Sequence, residues 1–191
     1  MEISIDQEVE QIGIFSDLHA EDDLLSLLIN KHPEITNWFC LGDAVDMFAP
    51  YWKNFPTLRK IKHYKIHLIK GNHEEAMSKE KYSKYFKDEP ELYKFMIGLP
   101  FSITIYFNNT PIELFHAGPE TTFQFIDPRN KVDQFDDLFK SIKSDLILLG
   151  HTHETYIKNS NKTYANPGSL KEDKSYFIIT NRMEIIKMKL S

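Results

Sequence analysis

Five short apolar runs in this chain each end in residue types that bind metals. Ile14-Phe15 leads into Ser16-Asp17-Leu18-His19, and Phe39-Cys40-Leu41 leads into Gly42-Asp43. Leu68-Ile69 is followed by Lys70-Gly71-Asn72-His73-Glu74, Leu114-Phe115 by His116-Ala117-Gly118, and Leu146 to Leu149 by Gly150-His151-Thr152-His153. Carboxylate, amide and imidazole donors without a thiolate suit Mn, Fe, Zn, Co or Ni and fit Ca poorly. Alone, each fragment is ordinary. Ser-Asp and Gly-Asp are turn or cap signals, Asn72 is a turn residue, and a lone His116 is a satisfied polar group. Five independent turns that all use Asp, Asn or His are a different matter. Five of the eight histidines lie in these fragments; His32, His63 and His67 read as structural or surface groups.

The elements behind these fragments must be strands whose carboxyl ends meet, because ligand crevices in α/β sheets lie there. Ile12–Phe15, Trp38–Leu41 and Ile66–Ile69 read as buried strands. Between them, Asp22–Asn30 has apolar residues at helical spacing with acidic residues in its first turn, and a short helix fits Arg59–Tyr64. Helical patterns follow over Lys79–Phe86 and Pro90–Ile97, stopped by Gly98 and Pro100. Phe101–Phe107, Asn108-Asn109 and Ile112–Phe115 form a hairpin pattern. A helix over Phe135–Ile142 precedes a strand over Asp145–Leu149. Strands at Thr155–Lys158, Lys162–Ala165, Tyr176–Thr180 and Glu184–Lys189 complete the chain. The pattern is α/β passing into antiparallel β, read as one domain over residues 1–191. The i, i+2 spacing of Asp17/His19 and His151/His153 would put both members on one side of an extended chain.

Composition bounds the partners. With 191 residues, 41% apolar and 27% charged, the chain can bury a core without staples. Its single cysteine, Cys40, excludes an internal disulfide and sits in an apolar run as a small buried hydrophobe. The start lacks a secretory pattern and no run approaches a membrane span, which predicts a soluble, cytoplasmic protein with no membrane partner. A net charge of −5 disfavours stable duplex nucleic-acid binding, although bound cations would add local positive charge. Phe123-Gln124-Phe125-Ile126 is a candidate self-association surface for a homo-oligomer.

In order along the chain, Asp17-x-His19, Gly42-Asp43-x-x-Asp46, Gly71-Asn72-His73-Glu74, His116 and Gly150-His151-x-His153 resemble the calcineurin-like metallophosphoesterases, in the branch of small phosphodiesterases and phosphatases. The resemblance implies a four-layer α/β/β/α sandwich of two mixed β-sheets, with a dinuclear metal site at the strand carboxyl ends. It implies one metal on Asp17, His19 and His153, another on Asn72, His116 and His151, and Asp43 bridging them. Manganese is the first expectation for the two divalent ions, with iron, zinc, cobalt and nickel also compatible.

The same resemblance implies a bridging hydroxide as nucleophile, His73 as general acid, and Asp46 as the residue that orients His73 and favours its charged form. Met47-Phe48 stands where protein Ser/Thr phosphatases of the family carry a phosphate-contacting arginine after the second aspartate. The expected substrate is a small phosphate ester or nucleotide. Phosphodiester hydrolysis comes first, with phosphomonoester hydrolysis as the alternative that His73 keeps open. A nuclease would want a basic track, and a non-catalytic scaffold would have lost ligands. Asn166-Pro167-Gly168-Ser169 is expected to form a tight turn near the site, as a connector. The aromatic and basic segment Phe48–Tyr64 either covers a sheet edge or stacks a base, with Lys53, Arg59 and Lys60 as its phosphate-contacting candidates.

Overall fold

The computed structural model describes residues 1–124, 129 and 132–191. The chain opens with β1 (Glu2–Ser4), β2 (Gln11–Phe15), α1 (Asp22–Lys31) and β3 (Trp38–Cys40). A 3₁₀ turn over Tyr51–Lys53 leads into α2 (Asn54–His63), β4 (His67–Leu68), α3 (Asn72–Met77), α4 (Glu80–Ser83) and α5 (Pro90–Ile97). The hairpin of β5 (Ser102–Phe107) and β6 (Thr110–Phe115) is followed by α6 (Val132–Leu138), β7 (Leu146–Leu148), β8 (Thr155–Asn159), β9 (Thr163–Pro167), β10 (Ser175–Thr180) and β11 (Ile185–Lys189).

Alternation along the strands builds two sheets that share one core. One has the order β1-β5-β6-β7-β9-β8 and the other β11-β10-β2-β3-β4. Both are mixed: β2, β3 and β4 run parallel, as do β6, β7 and β9, while the outer hairpins are antiparallel. Ile12, Ile14, Phe39, Phe177 and Ile179 of one sheet meet Ile103, Ile105, Ile112, Leu114 and Leu148 of the other. The opposite faces are also covered. Phe15, Trp38, Cys40 and Tyr176 pack under Leu25, Leu28, Leu58, Ile61, Leu92 and Met96 of α1, α2 and α5. Phe115, Ile147 and Tyr164 pack against Phe135 and Phe139 at α6. The result is the expected four-layer α/β/β/α sandwich, with apolar residues on both faces of the central strands.

Several boundaries differ from the sequence reading, each for a local reason. β1 was not foreseen, because Glu2-Ile3-Ser4 offers one apolar residue and is held by pairing with β5. α2 begins earlier than Arg59 and accommodates Pro56 in its first turn, where backbone N–H groups have no helical acceptor. α3 occupies a stretch read only for its chemistry, and the pattern over 79–86 divides into α4 and a 3₁₀ turn at Lys84–Phe86. Asn166 and Pro167 belong to β9, so the turn starts at Gly168, whose φ of 81° needs glycine. Of the suggested self-association patch, Phe123 is exposed, while Phe125 and Ile126 lie outside the described residues. Among the described residues, no helix is long and apolar enough to cross a membrane.

Candidate metal centre

The parallel strands β2, β3 and β4 end on the same rim as β6 and β7, and every residue singled out as a ligand lies in a loop or helix start just beyond one of those ends. Among the described residues, the ligand atoms of Asp17, His19 and His153 lie within 4.8 Å of one another. So do those of His19, Asp43 and His73, and those of Asp43, His116 and His151. Asp43 and His19 therefore each belong to two neighbouring groups. Asn72 joins through its Oδ1, 2.9 Å from His116 Nε2.

The route by which paired residues reach the site is not the extended one expected from their spacing. Asp17, His19, Asp43, His151 and His153 all have left-handed backbone, with φ between 47° and 66°. Each such non-glycine residue costs roughly 1–2 kcal/mol. Tight left-handed turns, fastened by Asp17 N–H to Gly42 O (3.2 Å) and His19 N–H to Asp43 O (2.9 Å), aim the side chains into one place. A Cβ at Gly42 would stand 2.6 Å from His116 Nδ1, so that ring occupies the space a side chain would need.

Hydrogen bonds to the second ring nitrogen sort the imidazoles into two kinds. His116 Nδ1 donates to Leu41 O at 2.7 Å, leaving Nε2 to face Asp43 Oδ2 at 3.5 Å. His153 Nδ1 meets Glu172 Oε1 at 3.0 Å, leaving Nε2 to face Asp17 Oδ1 at 3.3 Å. These are the outer partners that orient a metal-binding histidine, leaving Nε2 as the nitrogen that a metal would take in exchange for its proton. His73 is the reverse case. The Met47 N–H donates to its Nδ1 at 3.0 Å, so in the neutral ring the proton resides on Nε2, 3.8 Å from Asp43 Oδ2. Asp46 Oδ1 stands 3.7 Å from His73 Nδ1, and Asp46 instead accepts from Phe48 N–H at 2.9 Å and from Lys171 Nζ at 3.4 Å.

The electrostatics fit a pair of cations. Asp17 Oδ1 is buried without a hydrogen-bond donor, and His19 Nε2 and His153 Nε2 approach each other to 3.1 Å beside it. Burial would raise the Asp43 carboxyl, but His116 and His73 outweigh it and hold it well below the usual range. Burial would lower His116, yet Asp43 lifts it to about 9. Asp17, against burial and with help from Glu172, lifts His153 to about 9. Burial lowers His19 and His151. Protons on His116 and His153 thus neutralise the carboxylates in the metal-free chain, a task that divalent ions can take over. Cys40 is no competitor, since burial pushes its thiol well up and it donates to Gly42 O.

A supporting set escaped the sequence reading. Glu74 is fully buried and accepts three backbone N–H groups at 2.9 Å each, from Asp43, Val45 and Gly71. It ties the loop after β3 to the start of α3. Burial first, then Asp43, pushes its carboxyl up to about 7. Its signal was available: a Glu three residues after an N-cap glycine that itself follows a strand. Asn166 donates to Gly150 O at 2.6 Å, and Ser169 donates to Asp17 O at 2.9 Å, so the 166–169 stretch braces both histidine- and aspartate-bearing loops. No local pattern announces those long-range bonds.

The three remaining histidines lie apart from this cluster. His32 is buried against Tyr176 Oη at 2.7 Å, His63 is exposed, and His67 stacks on Phe39. The segment 48–64 divides in two. Leu58 and Ile61 of α2 fill the core, Arg59 pairs with Glu89 and Lys60 with Asp22. Phe48, Ala49, Pro50, Trp52 and Lys53 instead line a cleft next to His19 and Asp46.

Residues 11–182 match the Calcineurin-like phosphoesterase superfamily domain. The chain belongs to that superfamily and is a metal-dependent phosphoric ester hydrolase. No curated protein matches its sequence. Its fold is similar to that of a hypothetical protein from Pyrococcus horikoshii, at a TM-score of 0.79 and 12% identity over 95% of this chain and 88% of that one. A metallophosphoesterase from Sphaerobacter thermophilus gives 0.71 and 16% over 95% and 89%. A structure described as a novel archaeal phosphodiesterase gives 0.59 and 18% over 93% and 98%.

Proposed function

We propose that this chain is a phosphodiesterase for small esters. In this reading Asp17, His19 and His153 hold one divalent ion, Asn72, His116 and His151 hold a second, and Asp43 is shared. The observation that carries it is the sorting of imidazoles. His116 and His153 engage acceptors through Nδ1 and turn Nε2, the nitrogen a metal would take once its proton is displaced, toward carboxylates. His73 accepts a backbone N–H at Nδ1 and so keeps its proton on Nε2. The nitrogen and oxygen donors favour manganese, iron, zinc, cobalt or nickel. When bound, such ions polarise phosphate oxygens and acidify water.

The chain supplies the rest. Asp43 is fixed by its own N–H to Glu74 and by His73 N–H to its Oδ1 at 2.9 Å. His73 reaches toward the leaving oxygen through Nε2–H. To act as general acid the ring must carry a second proton on Nδ1, which exchanges the Met47 N–H for the Asp46 carboxylate 3.7 Å away. The proton on Nε2 then passes to the departing alkoxide.

The test is hydrolysis of a chromogenic phosphodiester and its monoester by chelator-stripped protein, with and without Mn²⁺, beside a count of metal bound per chain. Two ions per chain and faster metal-dependent diester turnover are expected. Faster monoester turnover would replace the proposal with a phosphatase, and one ion per chain would overturn the shared role of Asp43.

A further inference from the structure

The cleft beside the cluster has a volume of about 540 Å³. That lies within the usual range for small-molecule sites, roughly 300–1,000 Å³, and exceeds what a bare phosphate fills. Its wall includes two aromatic rings that the core does not use, Phe48 at 81% and Trp52 at 58% exposure. Phe48 sets its ring edge-on to His73, with centroids 5.4 Å apart, which places the wall against the reacting centre. Pro50 and Pro56 add rigid apolar surface to the same cleft.

A cation enters from the opposite side of the sequence. Lys171 lines the cleft, with its backbone N–H on Asp17 O at 3.3 Å and its Nζ 3.4 Å from Asp46 Oδ2 and 4.0 Å from Glu21 Oε1. An ammonium has three N–H donors, so a contact with Asp46 leaves others for a ligand. Met47, at the position after Asp46, packs against the helix-side core and offers no charge. Glu21, Asp22 and Asp46 line the same space, which sets a polyanion at a disadvantage.

We propose that this cleft is the specificity site for a nucleotide-sized phosphoester, with a base against Phe48 and Trp52 and Lys171 bonding a phosphate oxygen. The proposal rests on the reading of the adjoining cluster as a phosphoesterase centre. Aromatic rings accept any base, since every base offers a π face, and the gain from one stacked base is about tenfold or more in affinity. The acidic rim selects one nucleotide rather than a strand.

Fluorescence separates the two readings. The chain has two tryptophans, and Trp38 is buried at 3% exposure, so a ligand stacked in the cleft acts on Trp52. Mn²⁺-loaded protein is titrated with adenosine monophosphate and with ribose 5-phosphate, while turnover of a chromogenic phosphodiester is followed on the same preparation. Adenosine monophosphate should quench the emission and bind about tenfold more tightly than ribose 5-phosphate. The Phe48→Ala/Trp52→Ala variant, which lacks the reporter and is read by competition of each ligand against diester turnover, should bind both alike. Lys171→Met should weaken both ligands about tenfold, the usual scale for one charge-assisted hydrogen bond, and Lys171→Arg should restore them. Equal binding of the two ligands to the wild-type protein, with diester turnover intact, overturns the base site and leaves the phosphoesterase reading standing. Base discrimination without turnover of any ester does the reverse. An unchanged affinity in Lys171→Met removes the lysine from the proposal.

Discussion

Replacing Glu74 by glutamine tests whether the site is held from behind. Its Oε2 accepts the N–H groups of Asp43 and Gly71, and its Oε1 accepts that of Val45. A glutamine can keep its oxygen on the first two, but its NH₂ then faces the Val45 N–H, donor to donor. One bond is lost and one buried N–H is left without an acceptor, a cost of about 1–3 kcal/mol. Burial and Asp43 raise the carboxyl to about 7, so near neutrality part of that loss is offset by removing a charge beside Asp43. A net loss of about 2 kcal/mol corresponds to a melting temperature lower by roughly 4–8 °C for a chain of this length. Because the residue ties the Asp43 loop to the Asn72 helix, metal retention through dialysis should fall with it. Thermal melts with and without Mn²⁺, together with metal content after dialysis, read both effects. If Glu74→Gln melts within about 1 °C of wild type and keeps its metal, the bracing argument is wrong.

Four further outcomes follow from the same geometry. Gly71→Ala should abolish metal binding, since the added methyl would collide with Asp43 Oδ1 and lie 2.9 Å from Glu74 Oε2; full metal occupancy would refute this. His73→Ala should cost roughly 10²–10⁴-fold on esters with alkoxide leaving groups and far less on nitrophenyl esters; equal losses in a leaving-group series would exclude the acid role. Metal affinity should climb with pH, because His116 and His153, lifted to about 9, are protonated below that value only in the metal-free chain. The rise is up to about tenfold per pH unit for each proton displaced and flattens above that pKa; calorimetry in buffers of different ionisation enthalpy counts the protons. Lys65→Gly should be neutral to stabilising by about 0.5–1 kcal/mol, relieving a left-handed residue with φ of 55°; a destabilised variant would show that lysine is not strained there.

The sequence carried the chemistry more openly than the conformation that delivers it. Strands such as Ile12–Phe15 were readable because their apolar runs are buried on both faces. Although Asp or Asn is ordinary in one turn, five strand ends that all carry Asp, Asn or His are not. The two-residue spacing of Asp17 and His19 was legible, but not that left-handed backbone rather than an extended strand brings both to one point. Dihedrals of that kind are imposed by bonds between loops, such as Ala20 N–H to Ala44 O at 2.8 Å. Asn166 was hidden for the same reason, since its partner lies in another loop, whereas Glu74's spacing after Gly71 was legible and only its bonds to Asp43 and Val45 needed the assembled rim. Asp46 illustrates the converse. The motif suggested a bonded partner for His73, and the backbone of Met47 holds that nitrogen.

The division of the rim bears on how mutations act. Candidate ligands come from five strand ends in two sheets, each loop locked to another, so a change in any of them disturbs several at once. The stretch from Phe48 to Lys53 contributes none of them and carries exposed rings at the mouth of the cleft. Mutations there are spared the burden of the cluster's geometry. In such an architecture a change on the proposed substrate wall would alter what is bound while leaving the ligand-bearing loops as they are, so that selectivity and chemistry would be separable by mutation.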